Sequence, residues 1–79
     1  MNDEERDVLR HEILAALKPG PQNYTVLEKK VIASCHHFAT RTAFSGQLRY
    51  LLKKGCIEKI TRGKYRITSK GLEYCNFLS

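Results

Sequence analysis

Residues 44–71, FSGQLRYLLKKGCIEKITRGKYRITSKG, constrain the fold of this chain more than any other stretch. The first half of the stretch predicts a helix over residues 42–54, because its apolar residues recur at helical spacing and share one face. These residues are Phe44, Leu48, Leu51 and Leu52. The last two residues of this helix are lysines, and Gly55 follows them, which is a combination typical of a helix end.

The second half of the stretch predicts a β-hairpin. Residues 56–60 and 65–68 are the two strands, and residues 61–64 form a tight turn in which Gly63 can adopt a positive φ. A two-stranded hairpin is not stable alone in water, so this one has to pack against the helices. Thr68 or Ser69 is then expected to cap a short C-terminal helix. Its apolar groups are Leu72, Cys75, Phe77 and Leu78.

Residues 4–17 predict the first helix, with Asp3 as its N-cap. One apolar stripe runs along it, with Val8 at its edge. The stripe consists of Leu9, Ile13, Ala16 and Leu17. The segment Pro19-Gly20-Pro21 ends this helix.

The second helix is expected to begin at Thr25, because Thr25 and Glu28 form a capping-box pattern. A minimal strand around residues 24–26 could precede it, and its end is expected around residues 36–39. Ser34 falls on the apolar face, where a small side chain suits a close helix contact. The other residues of that face are Leu27, Val31, Cys35 and Phe38.

The predicted order of elements is helix, helix, helix, strand, turn, strand, helix. This order predicts an α+β fold: three helices, a two-stranded β-hairpin and a short C-terminal helix. At 79 residues the chain is expected to form a single domain, residues 1–79. No run approaches the roughly 18 apolar residues of a membrane span, so a membrane partner is not expected.

The positive charge of the chain is concentrated in one segment. The whole chain has a formal net charge of +6, whereas residues 41–70 alone carry nine basic residues and a single acid, Glu58. Residues 1–18 are acidic overall. Because the excess lies in one contiguous segment, it favours a polyanion as the partner.

The spacing Leu48-x-x-Leu51-x-x-x-Gly55-x-Ile57, with Phe44 one turn earlier, resembles the junction of recognition helix and wing in winged helix-turn-helix regulators. The following RGKYRITSKGLEY is similar to the wing and final helix of that superfamily. The nearest likeness is to small prokaryotic and archaeal regulators and to the N-terminal winged-helix domain of Mrr-type restriction endonucleases. The resemblance covers about residues 24–79 well.

The resemblance implies duplex DNA binding by a transcription regulator. The recognition helix, 42–54, would enter the major groove, and the wing, 61–64, would contact the backbone or the minor groove. The residues it places at the DNA are Arg41, Thr42, Ser45, Arg49, Lys53, Arg62 and Lys64. Gly46 occupies a place on the same face where a polar contact is common, and the wing is short. We therefore expect more backbone contact than base readout.

Each of these residues also has a purely structural interpretation. Arg49 could simply be solvated, the two hydroxyl side chains could cap the helix, and Lys53 could compensate the helix dipole. The two wing cations could protect a strand edge against pairing. Tyr50 could stack on a base or pack under the wing, and Tyr65 is expected in the core.

The sequence predicts neither an enzyme nor a cofactor. It contains no glycine-rich phosphate loop and no candidate acid–base pair, and it indicates no small-molecule ligand. Cys35-His36-His37 lacks the ligand spacing of a zinc site, so no metal is expected. The three cysteines are an odd count and are expected to be free thiols.

Two other functions stay open. The chain could be a winged-helix protein-interaction or accessory module of a larger complex, without direct DNA readout. It could also bind RNA or single strands, which would require exposed aromatic rings on the recognition face. A homodimer through the terminal helices is a further expectation. The acidic N-terminus MNDEERD predicts no targeting signal. The expected location is therefore cytoplasmic and nucleoid-associated in a prokaryote or archaeon, and nuclear in a eukaryote.

Overall fold

The computed structural model describes residues 2–78 as an α+β domain of four helices and a three-stranded antiparallel sheet. The elements in chain order are α1 (Asp3–Leu17), β1 (Gln22–Asn23), α2 (Tyr24–Ser34), α3 (Arg41–Lys53), β2 (Ile57–Thr61), β3 (Lys64–Ile67) and α4 (Ser69–Leu78). The strand order in the sheet is β1-β3-β2. No helix in the described part of the chain is long and apolar enough to cross a bilayer.

Helix α1 is capped by Asn2, so the prediction of Asp3 was wrong by one residue. The backbone N–H of Glu5 donates to Asn2 Oδ1 at 2.8 Å, and the N–H of Asn2 donates to Glu5 Oε1 at 3.2 Å. Asn2 takes the cap because this reciprocal pair needs an extended residue three positions before Glu5. Leu14, absent from the predicted stripe, is fully buried, whereas Ala16 is only half-buried.

The start of α2 also differs from the prediction. The helix begins at Tyr24, and its N-cap is Asn23, whose side chain makes no capping bond. The short strand lies at Gln22–Asn23, where it pairs with β3, and not at 24–26. The N–H of Tyr24 donates to the carbonyl of Gly63 at 2.7 Å. This distant acceptor satisfies the first helical N–H, so the predicted capping box at Thr25 does not define the helix start.

The end of α2 lies earlier than predicted, at Ser34, and Cys35 is its C-cap. The N–H groups of Phe38 and Ala39 both donate to the carbonyl of Cys35, at 3.1 and 2.8 Å, which closes a turn. Ser34 is exposed, so its predicted place at a helix contact was wrong. The apolar face of α2 packs on α1 and α3 through its buried residues Leu27 and Val31.

Helix α3 and the hairpin confirm the prediction closely. The N–H of Ala43 donates to Thr40 Oγ1 at 3.1 Å, which makes Thr40 the N-cap of α3. Gly55 has φ of 78° just after the helix, and Gly63 has φ of 75° in the hairpin turn. A side chain at Gly63 would be strained because L-residues rarely adopt this conformation. The short strand predicted around residues 24–26 lies at 22–23 and pairs with β3, so the predicted two-stranded hairpin belongs to a three-stranded sheet.

One apolar core joins all four helices and the sheet. Its largest fully buried side chain is Phe44 of α3, and Tyr65 of β3 lies in the core as predicted. All three cysteines are buried within it, and none of the three forms a disulfide. Leu72 and Phe77, two of the apolar residues predicted for α4, are exposed. The core therefore fixes α3 and the hairpin against α1 and leaves part of α4 uncovered.

Candidate nucleic-acid interface

The face of α3 that points away from the core carries the predicted helix residues. Phe44, Leu48 and Leu51 are buried, so the residues on the other side of the helix are turned to solvent. Thr42, Arg49 and Lys53 are exposed there, and Ser45 is half-buried. Arg41, the first residue of the helix, is also exposed. The helical period alone thus aligns these side chains along one face.

A shallow depression between α3 and the first turns of α2 unites four of the seven predicted residues. Arg41, Thr42, Ser45 and Arg49 all line it, together with Gly46. Apart from its chain neighbours and the nearby backbone of α3, no described atom lies within 4 Å of where a Cβ at Gly46 would lie. The backbone of α3 is therefore accessible to a partner at this point.

Two residues of α2, Tyr24 and Glu28, complete the depression, and neither was predicted from the sequence. Glu28 Oε1 lies 3.9 Å from Arg41 Nε, at the outer limit of an ion pair. The Glu28 side chain is only 15% exposed, whereas that of Arg41 is 87% exposed. Glu28 therefore places a negative charge inside an otherwise basic or neutral surface. A signal for it existed, since Glu28 is the only acid between Glu12 and Glu58.

Tyr24 connects this depression to the hairpin turn. Its ring packs edge-on against Phe44, with centroids 5.4 Å apart, and lies 6.4 Å from the ring of Tyr65. Its N–H bonds to the carbonyl of Gly63 in the turn. One residue thus contacts α3, β3 and the turn, so the turn is fixed relative to the exposed face of α3.

The hairpin residues Arg62 and Lys64 are exposed and lie outside the depression, as does Lys53. Lys64 belongs to β3, the central strand, and pairs with Asn23 on one side and Thr61 on the other. Its charge therefore does not protect a free strand edge, which removes one structural interpretation of this residue.

Most of the charge in the basic segment is not neutralised within the protein. Among the described residues, Arg66 pairs with Glu58 across the hairpin and Arg41 pairs weakly with Glu28. The other basic residues of 41–70 have no carboxylate partner in the part of the chain that is described. They are Arg49, Lys53, Lys54, Lys59, Arg62, Lys64 and Lys70.

Tyr50 does not belong to the depression. Arg10 of α1 lies over its ring, with Cζ 3.7 Å from the ring centroid, so the ring stacks on a guanidinium of the protein itself.

Within residues 2–78, no group of three His, Cys, Asp or Glu side chains is placed to hold a metal ion. Comparison with protein-family models, curated proteins and solved structures found no match for this chain.

Proposed function

We propose that this chain is a winged helix-turn-helix protein that binds duplex DNA and acts in transcription regulation. The element order and the packing of the hairpin against the helices support the winged-helix assignment. In this proposal α3 is the recognition helix, and the hairpin with its turn at 61–64 is the wing.

One observation carries the proposal: unneutralised cations lie on two exposed surfaces that Tyr24 connects. Arg49 lines the depression on α3, and Arg62 and Lys64 flank the turn whose Gly63 carbonyl accepts from Tyr24. A helix of this length spans roughly 20 Å, and the DNA major groove of about 12 Å width admits a helix. Arg49 would bind a phosphate at the edge of the groove, and the turn would bind the backbone beside it.

The chemistry of the depression favours phosphate contacts over base readout. Thr42 and Ser45 offer hydroxyl donors near the start of α3, where phosphates are commonly bound. Gly46 has no side chain with which to read a base edge, but it permits close approach. Neutralising phosphates releases counterions, so the affinity should fall steeply with salt.

A titration into random-sequence duplex DNA tests this proposal. At about 50 mM salt the protein should bind, and at about 200 mM the affinity should fall at least tenfold. Absence of binding at the lower salt would refute DNA binding. A single-stranded competitor of equal length should compete poorly, because the exposed face of α3 presents no stacking ring.

A second candidate function is a protein interaction through α1 and α4, including a homodimer. Phe77 is 81% exposed, and its ring stacks on that of Tyr74, with the centroids 6.4 Å apart. Beside Leu78, an acidic depression on α1 contains Glu4, Asp7 and Glu12. Sedimentation equilibrium distinguishes a monomer from a homodimer. A monomer that binds DNA rejects the homodimer, and a dimer abolished by Phe77→Ser supports it.

A further inference from the structure

A second depression lies at the other end of α3, between its last turn and α4. Tyr50, Lys54, Cys56, Lys70 and Tyr74 line it, and its volume is about 250 Å³. We call it the α3/α4 cleft. It shares no lining residue with the depression that contains Arg49. Its ligand chemistry can therefore be considered separately from DNA binding.

Arg10 of α1 holds the two aromatic walls of the α3/α4 cleft in place. Its Nε donates to Gln47 Oε1 at 2.6 Å, and its Nη1 donates to Tyr74 Oη at 3.1 Å. Its guanidinium also stacks on Tyr50. Because one planar group contacts both tyrosines, their rings are fixed before any ligand arrives.

The hydroxyl of Tyr74 can still donate one hydrogen bond. Its oxygen accepts from Arg10, so its own O–H proton remains available to a ligand in the α3/α4 cleft. A phenol that already accepts from a guanidinium donates more strongly, since hydrogen bonds in a chain polarise one another. The cleft thus contains one oriented neutral donor.

The charge of the α3/α4 cleft is positive and uncompensated. Lys54 and Lys70 line it, no carboxylate does, and neither lysine forms an ion pair with any described residue. Burial raises the pKa of the Cys56 thiol, and Lys70, Arg10 and Lys54 act against that rise. The positive charges of Lys70, Arg10 and Lys54 therefore all act at the Cys56 thiol, which lines the cleft.

We propose that the α3/α4 cleft binds a small organic anion: one carboxylate or phosphate group on an aromatic or apolar body. Lys54 and Lys70 neutralise the anionic group, and Tyr74 donates to it. Tyr50 and Cys56 contact the apolar body. The volume lies below the usual range of about 300–1,000 Å³ for ligand pockets, so the body is about the size of a single ring.

Two-dimensional amide NMR with benzoate, phenyl phosphate and inorganic phosphate tests this site without DNA. Saturable shifts are expected at the cleft residues for at least one ring-bearing anion. The stronger of the two identifies carboxylate or phosphate as the preferred group, and inorganic phosphate should bind more weakly. Benzylamine, a cation of similar shape, should give no saturable shift there. Absence of saturation with both ring-bearing anions, or equal binding of benzylamine, would overturn the proposal.

A charge-matched pair of variants isolates the lysines. Lys54→Gln with Lys70→Gln should weaken anion binding at least about tenfold. Lys29→Gln with Lys30→Gln, two exposed lysines of α2, should leave it unchanged. All four lysines are exposed, so both proteins should keep a dispersed spectrum. Equal losses in the two double variants would show non-specific charge attraction and overturn the site.

Alkylation gives an independent readout on the unaltered protein. Cys56 and Cys35 are both buried, so iodoacetamide reaches them only when the structure opens; a bound anion should slow the reaction of Cys56, which lines the α3/α4 cleft, more than that of Cys35. If saturating anion left the rate of Cys56 modification unchanged, the result would contradict the proposal. Because no DNA is present, a negative result here leaves the proposed DNA binding intact, and a failed DNA titration leaves this site intact.

Discussion

Glu28 Oε1 lies 3.9 Å from Arg41 Nε, which places the one acid of the candidate interface beside its first cation. The pair joins α2 to the first turn of α3. At the outer limit of an ion pair, and with Arg41 87% exposed, the pair contributes little to stability, so its main effect is on the surface potential. In the proposed complex Glu28 would repel the phosphates that Arg41 attracts.

We therefore predict that Glu28→Gln raises the affinity for duplex DNA by about two- to fivefold at low salt, the equivalent of roughly 0.5–1 kcal/mol. Glu4→Gln, which removes an exposed acid at the start of α1, is the matched control and should change the affinity little. Fluorescence anisotropy with a labelled duplex measures both. Equal gains in the two variants would show a general charge effect, and no gain at Glu28 would remove Arg41 from the interface.

Gly46→Ala should stabilise the protein by about 0.5–1 kcal/mol, because glycine inside a helix is less favourable than alanine. The added Cβ would meet no described atom within 4 Å beyond its chain neighbours and the nearby backbone of α3. A domain of this size should then melt about 2–8 °C higher. Calorimetry measures the shift. A lower melting temperature would show that the glycine has a structural role in α3.

The opposite result is expected at Gly71, the buried glycine of α4. A Cβ there would overlap the carbonyl oxygen of Cys56 and lie 2.7 Å from Ile67 Cγ1. That carbonyl also accepts from the N–H of Thr68 at 3.0 Å, so it cannot move freely. Gly71→Ala should cost at least about 2 kcal/mol of unfolding free energy. Denaturation in urea tests this, and a loss below that of an ordinary surface substitution would contradict the close approach of α4 to Cys56.

The elements that sequence analysis predicted well are those with local signals. Helix α3 was placed within one residue at each end, because Thr40 can cap it and Gly55 ends it. The start of α2 was misplaced because the decisive acceptor, the carbonyl of Gly63, lies far along the chain. Leu14 was missed because α2, α3 and α4 all pack on α1 and bury a wider face than one stripe.

The candidate site divides in the same way. The exposed face of α3 follows from the helical period, since burying Phe44 and Leu48 determines which residues face outward. Tyr24 and Glu28 reach the site only through the packing of α2 on α3, which no local pattern encodes. The sequence pattern predicted that Glu28 caps the start of α2, whereas in the structure its carboxylate lies beside Arg41.

The buried thiols predict a pH dependence of stability. Burial, followed by the nearby Glu12 carboxylate, raises the pKa of Cys35, and burial raises that of Cys56. The folded state therefore holds these protons more tightly than the unfolded state. The stability that these two protonated thiols contribute is fully present below the ordinary thiol pKa of about 8.5. It is lost as the pH rises through their higher pKa values in the folded state.

Urea denaturation at about pH 7.5 and about pH 9.5 measures this loss. The decrease in unfolding free energy between the two should be smaller in Cys35→Ala than in the unaltered protein, because one of the two linked thiols is gone. All other residues are the same in both proteins, so the difference between the two decreases isolates Cys35. Identical decreases would show that Cys35 is not linked to folding.

The salt dependence of DNA binding tests the central claim most directly. Arg49→Ala with Arg62→Ala removes one cation from α3 and one from the turn. Lys18→Ala with Lys30→Ala removes the same charge from the end of α1 and from α2, where both lysines are exposed and form no ion pair with a described residue. Each lost phosphate contact should flatten the plot of log affinity against log salt by about 0.9. The account predicts a slope shallower by about 2 for the first variant and nearly unchanged for the second. Equal slopes in the two variants, or no binding of the unaltered protein at low salt, would contradict it.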